Sequence, residues 1–126
     1  MIGLVICHKT LAKELVETAK AIVGHTHDLY PFSNEKFTVP ELVREIKLFI
    51  ESKGNPEQVI FMVDLRGGNC WTVARMLAHN KSGYVVLSGV NLPMIFSFLT
   101  KKELLPAEDL FRTIEADAHR GISFEK

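Results

Sequence analysis

The sequence predicts an α/β protein, a three-layer sandwich with a mostly parallel sheet of order 2-1-3-4 and a short antiparallel last strand. Three observations lead there. Short apolar runs rich in β-branched residues alternate with segments of helical period. The runs lack polar alternation, as strands buried on both faces of a parallel sheet do. Strands that alternate with helices join through right-handed crossovers, which place helices on both faces of the sheet. The 126 residues read as one domain, 1–126, burying roughly two thirds of the unfolded chain's surface.

Met1–Cys7 is the first strand. From Thr10 to Val23 the period changes, with Leu11, Leu15, Val16, Ala19, Ile22 and Val23 on one helical face and Gly24 as its stop. Asp28–Phe32 reads as a second strand, which Pro31 restricts to a sheet edge or a strand end. Thr38-Val-Pro-Glu41 has the spacing of a capping box, with Pro40 in the first turn, where its missing N–H costs little. The helix it opens buries Val39, Leu42, Val43, Ile46, Phe49 and Ile50, and it stops at Gly54 and Pro56. Val59–Val63 repeats the pattern of the first strand and ends at Asp64, as a central strand. A tight turn at Gly67-Gly68 leads into a helix through Val73, Ala74, Leu77 and Ala78 to the region of Asn80. Tyr84–Leu87 is the fourth strand and Leu92–Leu99 a short buried helix. Leu110, Phe111, Ile114 and Ala118 line a last helix, and Gly121–Phe124 is the expected final strand. There is no internal repeat, linker or low-complexity tract.

Charge narrows the range of partners. Fifteen basic and 15 acidic side chains balance to a formal charge near zero and are interspersed. A nucleic-acid binder draws most of its affinity from phosphate neutralisation by clustered Lys and Arg, so no nucleic acid is expected. Cys7 and Cys70 lie far apart in apolar surroundings, unlike the framework of a disulfide-stapled domain, and read as reduced thiols. No stretch approaches the roughly 20 apolar residues that span a bilayer, and the first run lacks a basic flank and a cleavage pattern. The chain is expected to be cytoplasmic.

In a doubly wound sheet, sites form outside the carboxyl ends of the strands where the order reverses. His8 follows the first strand directly, and Asp64 closes the third. With order 2-1-3-4 the two face each other across one crevice. A carboxylate that accepts a hydrogen bond from one imidazole nitrogen fixes the tautomer, leaves a lone pair on the other nitrogen and stabilises positive charge on the ring. The turn Gly67-Gly68-Asn69-Cys70 aims backbone N–H groups and a helix N-terminus at an anion beside that ring, of which a phosphoryl group is the natural candidate. Taken singly, each of these residues has a commoner structural use. The functional reading rests on their coincidence at the switch point.

Three segments carry a resemblance over nearly the whole chain: Ile2-Gly-Leu-Val-Ile-Cys-His8, Phe61-Met-Val-Asp-Leu-Arg-Gly-Gly68 and Gly89-Val-Asn-Leu-Pro-Met94. Together they resemble the IIA domain of the mannose-type phosphoenolpyruvate-dependent sugar phosphotransferase system. The resemblance implies that His8 accepts a phosphoryl group from the phosphocarrier HPr and passes it to a IIB partner, with Asp64 bonded to the ring. It implies contact with the membrane only through IIC and IID partners, no cofactor, and a homodimer that exchanges its last strand. It places Asn91 at the site rim. An alternative reading keeps the fold as a regulatory module whose partner binding depends on His8 phosphorylation.

The chain departs from the family pattern in several places. Lys9 stands where the family usually has Gly, Asn69-Cys70 where it has Ser-Pro, and Arg66 where it commonly has an aromatic residue. Lys9 and Arg66 add positive charge at the mouth, while Asn69 offers an amide in place of a hydroxyl. His25-x-His27 lacks the Cys or carboxylate companions of a metal site, so no metal is expected. A Cys7–Cys70 redox pair ranks below two buried small hydrophobes.

Overall fold

A computed structural model describes residues 1–126. The apolar runs form β1 (Ile2–Cys7), β2 (Leu29–Ser33), β3 (Val59–Val63) and β4 (Tyr84–Ser88), all parallel in the order β2-β1-β3-β4. Every residue of β1 and β3 is buried, which is why neither strand shows polar alternation. Pro31 sits in β2, which pairs only with β1, so its missing N–H falls on an edge strand.

Five helices connect and cover the strands: α1 (Leu11–Val23), α2 (Val39–Ser52), α3 (Asn69–Ala78), α4 (Leu92–Lys101) and α5 (Ala107–Arg120). Alternate side chains of each strand point to opposite faces. Val5, Cys7, Ile60 and Met62 pack with α1, α4 and α5, while Leu4, Ile6, Phe61 and Val63 pack with α2 and α3. Gly3 makes room for the first of these layers. A Cβ there would lie 2.9 Å from Cζ of the buried Phe98.

Helix ends follow the expected chemistry with small shifts. Thr38 Oγ1 accepts the Glu41 N–H at 3.3 Å, and Glu41 Oε1 accepts the Thr38 N–H at 2.9 Å, so the capping box is complete. Gly24 ends α1 in the left-handed region at φ 99°. Thr10 makes no side-chain cap, and α1 starts one residue later, at Leu11. α3 stops at Ala78, short of Asn80, where φ turns positive at 57°. Below the sheet, Lys102 is almost fully buried over the Phe98 ring and donates to the His27 carbonyl and the Asp28 carboxylate.

The expected antiparallel last strand is absent: the sheet ends at β4, which runs parallel to β3. Gly121 and Ile122 continue the helical hydrogen bonding of α5, donating to carbonyls of Asp117, Ala118 and His119. Within one chain the remaining residues bury almost nothing, with Ile122 and Phe124 being 78% and 88% exposed. So short a segment cannot offset the entropy of ordering it.

Gly83, just before β4, fits because it has no side chain. An added Cβ would lie 2.0 Å from the Glu57 carbonyl oxygen, which belongs to backbone and cannot swing away. We expect Gly83→Ala to destabilise the fold by about 1–3 kcal/mol, as overpacking does. A lower midpoint of urea unfolding at unchanged slope would register it.

Candidate active site

Because β1 and β3 are neighbours, with Ile6 opposite Val63, the residues that follow them emerge side by side. Nδ1 of His8 lies 2.8 Å from Oδ2 of Asp64, and the same oxygen accepts the His8 backbone N–H at 2.9 Å. Oδ1 of Asp64 accepts the Leu65 N–H at 2.9 Å. Three donors thus hold the carboxylate. The His8 side chain is 42% exposed and that of Asp64 only 11%, so the ring meets solvent above a mostly covered carboxylate. With Nδ1–H committed to Asp64, the free lone pair of the neutral ring is on Nε2.

Burial pushes the Asp64 carboxyl up, but the hydrogen bonds from His8 and Leu65 and the nearby ring outweigh it and hold the group below its ordinary value of 3.8. The sign of the linkage follows. Ionised Asp64 contributes stability above pH 3.8, and that contribution is lost as the pH falls through the lower folded-state value. The stability difference between wild type and Asp64→Asn should therefore shrink on acidification below about pH 4, as measured by urea unfolding at a series of pH values.

Leu65-Arg66-Gly67-Gly68 forms a tight turn closed by the Gly68 N–H on the Leu65 carbonyl at 3.3 Å, with Gly67 at φ 84°. Glycine fits that position because other residues rarely adopt it. Gly68 precedes α3, and a Cβ there would stand 3.5 Å from Cε1 of His8, so the backbone passes close beside the ring. The N–H groups of Asn69, Cys70 and Trp71, at the start of α3, have no acceptor in the protein. They carry the positive end of the helix dipole. Sγ of Cys70 lies 3.9 Å from Nδ1 of His8. Burial, helped by the charge of Asp64, pushes the thiols of Cys7 and Cys70 up to about 12, which leaves both protonated and poorly nucleophilic.

The fold therefore brings His8, Asp64, Gly68 and Cys70 together, with Gly67 in the turn and Asn69 exposed beside it. Lys9 is exposed in the left-handed region at φ 52°, where the family's usual Gly would sit without strain, and opens toward the β2 side with Lys13 and Glu35. Arg66 lies on the other side and lines a cavity of about 490 Å³ with Asn91, Met94, Glu115 and His119. Asn91 is occupied: Oδ1 accepts the Met94 N–H at 2.9 Å, and Nδ2 donates to the Ala118 carbonyl at 3.0 Å, so it ties α4 to α5. His25 and His27 sit between α1 and β2, their ring centroids 4.7 Å apart. Sequence reasoning missed the Leu65 amide that orients Asp64. A backbone donor has no residue signature, though its place one residue past a strand-end aspartate is a usable hint.

Fold and site together define a parallel α/β protein with a carboxylate-held histidine at its switch point. The chain belongs to the EIIA-man family, whose model, described as the PTS system fructose IIA component, matches residues 3–115. It is 28% identical over 107 residues to the mannose-specific EIIAB component of Escherichia coli (strain K12), a match covering 81% of this chain and 32% of that protein. The chain thus spans about a third of the length of these curated relatives. To the sorbose-specific EIIA component of Klebsiella pneumoniae it is 26% identical over 122 residues, 94% of this chain and 87% of that one. The crystal structure of phosphotransferase system component EIIA from Streptococcus agalactiae superposes with a TM-score of 0.87 at 17% identity, covering 98% of this chain and 95% of that one, a likeness of fold. No helix is long and apolar enough to cross a membrane.

Proposed function

We propose that this chain is a phosphocarrier that accepts a phosphoryl group on Nε2 of His8 from phosphorylated HPr and passes it to a IIB partner. One observation carries the reading: Asp64 Oδ2 holds Nδ1 at 2.8 Å, which directs the lone pair of Nε2 outward. In the transfer, Nε2 forms a bond to phosphorus as the donor's phosphorus–nitrogen bond breaks. The electron pair of that bond returns to the donor imidazole. The His8 ring then carries positive charge, which the ionised Asp64 stabilises through Nδ1–H. The free N–H groups of Asn69 and Cys70 are suited to the phosphoryl oxygens, and Lys9 and Arg66 offer positive charge at the mouth for an anionic partner surface. Onward transfer reverses these steps toward IIB.

The test is incubation with phosphoenolpyruvate, enzyme I and HPr, followed by intact-mass measurement. A gain of one phosphoryl group that is lost in acid supports a phosphohistidine, and an unchanged mass overturns the reading.

We further propose a homodimer. The outer edge of β4 is unpaired, and the exposed Ile122 and Phe124 follow directly after α5. Strand exchange onto a partner's β4 would satisfy both. Removing the residues after Arg120 should weaken association in light scattering at micromolar concentration. A full-length protein that is monomeric there would exclude the exchange.

A further inference from the structure

We propose that His8, Asp64 and Cys70 form a binding site for a zinc-class divalent cation, and that its occupancy switches off phosphoryl acceptance. Nδ1 of His8, a carboxylate oxygen of Asp64 and Sγ of Cys70 all lie within 4.8 Å of one another, and no other His, Cys, Asp and Glu side chains in the chain form such a group. A tetrahedral zinc site with ordinary bond lengths would place its nitrogen and oxygen ligands about 3.3 Å apart, and nitrogen and sulfur about 3.6 Å apart. Here the distances are 2.8 Å and 3.9 Å. A small swing of the partly exposed His8 ring toward Cys70 closes one gap as it opens the other, and the remaining pair, the Asp64 oxygen and the Cys70 sulfur within 4.8 Å, would close to about 3.6 Å by a turn of the Cys70 side chain. The carboxylate is already oriented, because the Leu65 N–H holds its second oxygen.

The donor set selects the metal. Thiolate and imidazole suit zinc, cobalt and cadmium, whereas magnesium and calcium prefer oxygen. Three protein ligands leave a fourth position for water on the exposed side of the ring.

Proton accounting links this site to the proposed phosphocarrier, on which the second half of the inference rests. When the cation takes Nδ1, the proton that bridged to Asp64 moves to Nε2, and the ring stays neutral. Cys70 loses its thiol proton to solvent. Nε2 then carries a hydrogen where its lone pair had been, so it cannot attack phosphorus. Conversely, a ring phosphorylated on Nε2 keeps its proton on Nδ1 and gives the cation no lone pair.

Cobalt(II) reports on the site without any activity. Titrating the wild-type protein with cobalt should raise intense visible bands of a tetrahedral ion and a thiolate-to-metal charge-transfer band in the near ultraviolet. The ultraviolet band should vanish in Cys70→Ala and survive in Cys7→Ala. X-ray absorption of the zinc-loaded wild type needs no variant and should show a single sulfur beside nitrogen and oxygen. A folded wild type without the ultraviolet band, or a zinc shell without sulfur, would overturn the site. In the second arm, one equivalent of zinc should slow phosphorylation at least about tenfold, and a chelator should restore it. Undiminished phosphorylation of the zinc-loaded protein would overturn the switch. Failure of the metal-free protein to accept phosphate would overturn the carrier reading and its switch together, while the cobalt spectrum decides the site by itself.

Discussion

His8→Ala is expected to show no mass gain in the presence of phosphoenolpyruvate, enzyme I and HPr, while its circular dichroism and unfolding midpoint stay close to wild type. The substitution touches little of the core. His8 lies one residue beyond β1 with a partly exposed side chain, and the backbone N–H that binds Asp64 remains in the alanine protein. No other histidine stands in for it: His25, His27, His79 and His119 have no carboxylate within ion-pair reach of a ring nitrogen. Phosphorylation of His8→Ala at the wild-type rate would remove His8 from the reaction.

Asp64→Asn carries the second large effect. Asp64 accepts from three donors, the His8 N–H and ring on Oδ2 and the Leu65 N–H on Oδ1. An amide has a single acceptor oxygen, so it conflicts with one side. If its oxygen faces His8, its NH2 opposes the Leu65 N–H. If it turns over, its NH2 faces Nδ1 and draws the lone pair there, which moves the ring proton onto Nε2 and disables the nucleophile. Either way the negative charge that stabilises the phosphorylated ring is gone. Transfer from phosphorylated HPr should slow by about tenfold to a thousandfold, the scale of losing an orienting or charge-stabilising group. One unmet N–H costs stability by about 1–3 kcal/mol. Rapid-quench rates decide the matter, and equal rates in two folded proteins would reduce Asp64 to a turn residue.

Much of this arrangement was legible in the sequence because it follows from burial. β1 and β3 read as central strands because every side chain in them is covered, and Pro31 marked β2 as an edge. The pairing of His8 with Asp64 followed from placing both at carboxyl ends of neighbouring strands. What escaped the reading depends on contacts that residue type does not encode. Asn91 was expected at the rim and lines a cavity there with Arg66, but that its carboxamide joins α4 to α5, a link across 27 positions of sequence, could not be read from residue type. The Gly121–Phe124 segment has a strand's composition, yet within one chain it is too short and too exposed to offset the entropy of ordering it. Cys70 was placed in the anion-binding turn, but the approach of its sulfur to the ring comes from the first turn of α3.

The two edges of the sheet are chemically unlike, and this sets how many copies can join through them. Beyond β2, Pro31 has no N–H to offer a further strand, whereas the outer edge of β4 keeps all its donors and acceptors. Addition of strands is therefore favoured on the β4 side. In the proposed strand exchange each copy would cover the β4 edge of the other with its last residues, and what the pair would present outward is the proline-bearing side. In the proposed homodimer growth would therefore end at a pair, with Pro31, a residue far from the site of the chemistry, opposing fibrous polymerisation.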